Sequence, residues 1–357
     1  MATDLVIIDS QPPPEDGGIL QKITSLPILL LHVHESCNCR CQMCDIWRRR
    51  DGKELDVADF ARHRDSLVRL GVRHVVLTGG EPLLHRDLPG LCRLLREAGV
   101  QIITLLTTGL LLERRAEVIA DWIDEVIVSL DGPQEVHDRV RRVQGAFRIM
   151  SAGIRVIRQR KPALQILGRT TVQKANHRVL RQTVSAAQAL GLDSISFLAA
   201  DLTSQAFNRE LIWPGERQDE IALTRSEVED LEAEVDLLIR ECADEIRSRF
   251  IVESETKLRR IARRFRERLG DLQPVAPMCN APWVSAVMEV DGSVRPCFFH
   301  DRVGNTHGAT LEQVINSVGA QRFRASLRVS DNATCQRCVC SLHYEPTSTA
   351  GNDSVLP

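Results

Sequence analysis

Three cysteines, Cys37, Cys41 and Cys44, stand at x3 and x2 spacing in the run CNCRCQMC, directly after the apolar segment ILLLHV. Iron in a cluster prefers soft thiolate ligands, and three thiolates on one loop suit a [4Fe–4S] cluster with one iron left open for a cofactor. Structural zinc is the competing reading; it takes four ligands, so Cys39 or a nearby histidine would have to complete the set. Downstream, Cys279, Cys297, Cys335 and Cys338 follow at x17, x37 and x2. Four thiolates would fully ligate a second [4Fe–4S] cluster, although they also satisfy tetrahedral zinc. Cys340 could replace Cys338, so the assignment within CQRCVC stays open. Cys92 and Cys242 fall on apolar helical faces and read as core.

These cysteines need a frame. Strand-like runs begin near Ile28, His74, Gln101, Glu125, Leu164 and Ser194, and helical patterns lie between them at about 56–69, 87–98, 112–120, 143–158 and 177–190. Short apolar runs alternating with helices predict parallel βα units. The fold class expected is α/β: a partial (βα)6 TIM-like barrel over 28–201, after an N-terminal extension at 1–27. A helical insertion is expected over 202–270. Thr224 and Glu227 open it as a capping box, and Val228, Leu231, Val235, Leu238, Cys242, Ile246 and Phe250 recur at helical spacing. A small α+β auxiliary-cluster domain follows at 271–345, with a hairpin turn at Asp291–Gly292, and then a disordered tail at 346–357.

Two features carry a resemblance. The strand HVVLT runs into Gly79, Gly80, Glu81 and Pro82, and SLDG ends the fourth strand. With the three-cysteine loop, these resemble the signature of the radical S-adenosylmethionine (SAM) enzymes. DGSVRPC and GNTHGATLEQV resemble the auxiliary-cluster domains called SPASM and Twitch, the shorter Twitch form fitting the cysteine count. The resemblance implies SAM chelated to the open iron and cleaved reductively to a 5′-deoxyadenosyl radical. It implies that Gly80 and Glu81 meet the methionyl amino group, with Gly79 and Pro82 shaping the turn. Thr108, Ser129, Asp131 and Arg169 lie at strand tips suited to the rest of SAM or to substrate. Met43 departs from the family, where an aromatic residue often precedes the last cysteine of the loop. An auxiliary cluster held by four cysteines suits electron transfer, hence an oxidation of substrate.

Substrate and proton-transfer groups are less legible. Asp201 and Glu210, the latter in DLTSQAFNRE beside Asn208 and Arg209, are polar candidates facing substrate. His343 and Tyr344 follow the last cysteines and join them as catalytic candidates, while His32 and His34 lie on the first strand. A small polar metabolite is the substrate expected; a ribosomally made peptide is the alternative, the 27 residues before the first strand being short for a leader-recognition domain. An electron donor such as flavodoxin or ferredoxin is the partner implied.

Composition sets the outer limits. The chain has 357 residues, a net charge of −2 and 11 cysteines. Near-neutral charge gives no strong attraction to nucleic acid or anionic membrane. Cysteine-rich but without a visible signal peptide reads as metal binding in a cytoplasmic protein rather than a disulfide framework. One Tyr and four Trp disfavour an aromatic platform for single-stranded nucleic acid. The arginine run from Arg259 to Arg268 gives an RNA-modifying enzyme some support, which the acidic residues upstream largely cancel.

Overall fold

The computed structural model describes residues 20–49, 52–206 and 212–345. Most of the predicted N-terminal extension, the whole predicted tail, and Glu210 with Asn208 and Arg209 lie outside the described residues.

Six strands form as the apolar runs predict: β1 (Ile28–His34), β2 (His74–Gly79), β3 (Ile102–Thr107), β4 (Glu125–Ser129), β5 (Gln165–Val172) and β6 (Ser194–Ala199). Each pairs in parallel with the next. They are rich in Val, Ile and Leu and largely buried, as parallel strands covered on both faces must be. The predicted helices appear near their expected places at Leu88–Glu97, Ala116–Trp122, Ala146–Arg160 and Leu180–Ala189. The first predicted helix is broken into Val57–Ala61 and Arg64–Arg69. A helix at Gln134–Arg141 has no apolar stripe to announce it; its buried face is His137, Val140 and Arg141.

The auxiliary region does not form a separate sheet. Its first strand, β7 (Ser285–Met288), pairs in parallel with β1, and β8 (Ser293–Arg295) and β9 (Gly304–Asn305) add antiparallel beyond it. One sheet of order β6-β5-β4-β3-β2-β1-β7-β8-β9 therefore runs through both regions. The hairpin turns where expected: Asp291 accepts from the Ser293 N–H at 2.9 Å and Gly292 takes φ +77. The sheet is open, with β6 and β9 at its edges.

The insertion corrects one expectation. The helix does not run unbroken to Phe250; it divides at Cys242 into Arg225–Glu241 and Ala243–Arg247. Arg249 then takes φ 63, and the chain turns back so that Phe250 and Val252 bond the free edge of β6 at Ile195, at 2.6 and 3.0 Å. An edge strand needs such partners, and an unbroken helix could not supply them. The capping box at Thr224 and Glu227 is present. The arginine run on the next helix (Glu255–Arg268) is committed internally: Arg259 pairs with Asp236, Arg263 and Arg264 with Glu267, Arg266 with Glu232, and Arg268 with Asp219. Among the described residues no helix is long and apolar enough to cross a membrane.

The sheet carries buried polar groups as well as apolar ones. His74 on β2 bonds Thr104 on β3 at 2.8 Å, and the Thr104 hydroxyl donates to Glu125 on β4 at 2.8 Å. Burial lowers His74 to about 4, against an ordinary value near 6.5. The unfolded chain then binds the extra proton below pH 6.5 while the folded chain resists it until about 4. Stability is therefore lost as pH falls through that window, with His74 contributing about 2 kcal/mol of the loss at pH 5. Denaturant midpoints measured from pH 7 to 4.5 should fall accordingly, and His74→Leu should flatten the slope.

Candidate functional site

The Cys37–Cys44 loop leaves the tip of β1 and is held by its neighbours at several points. Gly80 N–H donates to the His34 carbonyl at 2.7 Å, and Glu81 N–H to the Ser36 carbonyl at 2.9 Å. A Cβ on Gly80 would lie 2.1 Å from the Ser36 oxygen, and one on Gly79, at φ +122, would lie 2.5 Å from the His34 oxygen. The two glycines thus let the β2 tip press onto the start of the cysteine loop. Pro82 opens a short 3-10 turn behind them.

The Glu81 side chain is tied into the fold. Its carboxylate is fully buried and accepts from the Leu83 N–H, the Thr107 hydroxyl, and both the N–H and hydroxyl of Thr108. Burial pushes its pKa up in spite of these bonds. With its oxygens so engaged, Glu81 fastens the β3 tip to the β2 turn. Thr108 extends the tie, its hydroxyl lying 2.9 Å from Asn38 Oδ1 inside the cysteine loop.

Asp131 is likewise tied into the fold. It is fully buried, pairs with Arg141 at 2.6 Å, and accepts the Thr171 N–H at 3.1 Å. Arg141 in turn reaches Cys41 Sγ at 3.4 Å. A Cys39 S–H donated to Cys41, helped by the Arg141 charge, outweighs burial and holds the Cys41 thiol below its ordinary range. Cys37 has Cys41 and Cys44 among the groups that repel its thiolate, and burial raises its pKa well above the thiol range. The three thiols of the x3, x2 spacing therefore share one neighbourhood, and a cationic side chain attends it. Arg141 escaped the sequence reading because the helix bearing it was not foreseen.

The downstream thiols also converge. Burial first, and then the neighbouring Cys279, raise Cys297 to about 11; Cys335 is raised to about 12 in the same way, with Cys297 and Cys279 as neighbours. Cys338 has Cys340, Cys297 and Cys279 beside it. Cys340, raised to about 12 by burial, faces Arg169 and Asp201 as well as Cys297 and Cys279. The five downstream thiols thus lie within electrostatic reach of one another, Cys340 as well as Cys338. His300 Nε2 lies 3.3 Å from Cys335 Sγ, and the Cys338 S–H donates to the Cys340 carbonyl at 3.0 Å.

Arg169 on β5 is paired in register with Ser129 on β4, so two predicted contacts share one layer. Its guanidinium is desolvated, which lowers its pKa, and it faces Cys340, Glu253 and Glu125; its Nε is buried without a partner among the described residues. Glu253, missed by sequence reasoning, reaches the same interior from the return of the insertion, accepting from the Ser196 hydroxyl at 2.8 Å and the Phe197 N–H at 2.9 Å. Asp201 is buried and accepts from Ser204 at 2.5 Å.

Two catalytic candidates lie near the end of the described chain. His343 is exposed and bonds exposed Glu345 at 3.1 Å, turned outwards from the thiols. Tyr344 contributes its backbone, exchanging bonds with the Asn280 side chain at 2.8 and 2.9 Å. That exchange fastens the chain after Cys340 against the residue that follows Cys279.

Comparison with known proteins defines the class. Residues 31–174 match the radical SAM superfamily and residues 279–339 the SPASM iron-sulfur cluster-binding domain. Over 127 residues the chain is 32% identical to a Methanococcus maripaludis protein described as “Probable GTP 3′,8-cyclase”, covering 35% of this chain and 43% of that one. Over 105 residues it is 34% identical to GTP 3′,8-cyclase of Chlorobaculum tepidum, covering 28% and 31%. The match spans less than half the length of these relatives. In structure, the chain resembles Streptococcus suis SuiB with S-adenosylmethionine (TM-score 0.60, 14% identity, 89% of this chain and 73% of that one). It also resembles anSMEcpe with bound AdoMet (0.61, 18%, 87% and 86%); at these identities the likeness is one of fold.

Residues 31–174 are thus identified as a radical SAM domain and residues 279–339 as a SPASM auxiliary domain. The cofactors of these two domains are S-adenosylmethionine and two iron–sulfur clusters. Cysteine thiolates are the donors such clusters require.

The buried Asp131–Arg141 pair gives a direct test. Removing one partner of a buried pair costs about 3–5 kcal/mol because the other charge is stranded. Arg141→Met should lower the denaturant midpoint and reduce iron retained at the first loop; Asp131→Asn should do the same more mildly. Gly80→Ala should prevent reconstitution of the first cluster while leaving the auxiliary iron in place, read by iron and sulfide analysis.

Proposed function

We propose that Cys37, Cys41 and Cys44 hold the cluster that binds SAM, and that substrate lies in the barrel interior between this loop and the auxiliary thiols. When bound, the reduced cluster and SAM supply a carbon radical that takes a hydrogen atom from a substrate C–H bond. This chain's residues do the rest. The Gly80 turn fixes the methionyl end, Ser129 and Arg169 meet the carboxylate of SAM or of substrate, and the sheet excludes water, which matters while a radical exists. Cys279, Cys297 and Cys335, with Cys338 or Cys340, hold the auxiliary cluster, whose part is to receive an electron from substrate.

The observation that carries this reading is the position of Cys340. It lies among the auxiliary thiols and also faces Arg169 and Asp201. An auxiliary set open to the barrel interior can exchange an electron with a substrate there; one facing solvent could not.

For the substrate, a peptide is the better reading. SuiB has been solved with precursor peptide SuiA, and anSMEcpe with Cp18Cys peptide, and each resembles this chain in fold over most of its length. The stretches shared with the GTP 3′,8-cyclases are short and support SAM chemistry without extending to their substrate. A small polar metabolite is the second reading, favoured by the desolvated Arg169 beside buried Glu253 and Asp201.

Anaerobically reconstituted protein should bind about eight irons per chain, two four-iron clusters, and release 5′-deoxyadenosine from SAM under a strong reductant. Side-chain-deuterated peptides should pass deuterium into that nucleoside. Transfer from deuterated aminocyclitols or sugars instead would select the second reading. About four irons would remove the auxiliary cluster from the mechanism.

A further inference from the structure

The insertion reaches back over the first cysteine loop at one place. Trp213 is 5% exposed, although Ile212 before it is exposed and Pro214 after it opens a surface helix at Gly215–Asp219. Its indole N–H donates to Asp45 Oδ2 at 2.6 Å. Asp45 is the residue directly after Cys44. The guanidinium of Arg217 lies over the Trp213 ring at 4.6 Å, and the same guanidinium donates to the Gln42 carbonyl. Gln42 is two residues before Cys44, so the two side chains grip the loop on both sides of that cysteine. Asp45 is also paired with Arg48 at 3.0 Å, and Arg217 with Glu220.

The chemistry of these contacts favours a fixed loop over a passing surface contact. A buried indole N–H needs an acceptor, and here it has a carboxylate, which makes the stronger charge-assisted bond. A cation stacked on a tryptophan face adds to it. The grip joins segments 168 residues apart in sequence, so it forms only when the insertion is docked. Cys44 is the last thiol of the loop; the chain just beyond it is turned locally by the Trp47 indole N–H on the Cys44 carbonyl at 2.8 Å, and Trp213 and Arg217 add the long-range ties to this segment.

We propose that Trp213 and Arg217 are positioning residues for the SAM-binding cluster: they hold the Cys44 end of its loop and shield it from solvent and oxygen. The proposal rests on the Cys37, Cys41 and Cys44 assignment. It gives the insertion a specific task, closing the wall of the catalytic chamber that the open sheet leaves to it.

The test uses the full-length, doubly reconstituted protein. In Trp213→Ala, the visible absorbance of the first cluster should bleach in air at least fivefold faster than in wild type. Its electron paramagnetic resonance signal on reduction should broaden and lose the shift produced by adding SAM. The auxiliary signal serves as the control and should stay near wild type; the thermal midpoint should fall in Trp213→Ala, as it does when a buried tryptophan is truncated, and stay near wild type in Asp45→Asn. Asp45→Ala should reproduce the effect, while Asp45→Asn, which keeps an oxygen acceptor for the indole, should restore wild-type bleaching. Arg217→Leu should give an intermediate rate. Unchanged bleaching and an unchanged signal in both Trp213→Ala and Asp45→Ala would overturn the proposal. So would equal damage in Asp45→Asn and Asp45→Ala, because the indole bond would then not be the cause. Should Trp213→Ala fail to fold, the Asp45 pair decides alone. Absence of any SAM-induced shift in the wild type would instead remove the cluster assignment, separating that failure from failure of the grip.

Discussion

The double pairing of β1 is the constraint on which this molecule depends. Its backbone bonds β2 on one side and β7 on the other, so it belongs to the barrel and to the auxiliary region together. The cysteine loop leaves from its tip, and the auxiliary hairpin is registered against the same strand from Ile28 to Leu31. Hydrogen-bond register leaves little freedom along a strand: a slip by one residue would turn every side chain to the opposite face. The relative placement of the two thiol sets is thereby carried by backbone bonds, which vary less than a packed interface between two independent domains would.

Buried carboxylates then stiffen the rim. Glu81 and Asp131 sit at the ends of neighbouring layers, and each is filled by donors from another strand or helix. Burying a carboxylate is costly unless its oxygens are satisfied, so each of these groups requires several elements to arrive in place at once. Thr108 links Glu81 to Asn38, and Arg141 links Asp131 to Cys41. Both chains of contact end in the cysteine loop. The cysteine loop is thus held by the elements that follow β3 and β4 as much as by its own strand.

The interior is less complete. Arg169 is desolvated with a bare Nε, and Cys340, Glu253 and Asp201 lie around it. Such a group is unusual in a finished core, where buried polar atoms are paired, and it fits a chamber that receives an anionic group from outside the chain. The insertion supplies Glu253 through its return to β6 and Trp213 through its reach to Asp45. In this respect it is part of the chamber wall.

The sequence by itself determined much of this protein. Apolar runs gave the six parallel strands, because burial on two faces leaves no alternation to misread. Local spacing revealed the cysteine loop, the Gly79–Pro82 turn, the Asp291–Gly292 hairpin and the capping box at Thr224, since each depends on residues within a few positions of one another. Tertiary structure alone decided what those residues touch. It surrounded the Glu81 and Asp131 carboxylates with donors from other elements, placed His343 on the surface, broke the long helix at Cys242, and merged the auxiliary hairpin with the parallel sheet. The reason is the same in each case: a carboxylate's partners, a strand's edge and an indole's acceptor are set by segments tens to hundreds of residues away. Composition and periodicity record which groups must be satisfied, but not which distant segment will satisfy them.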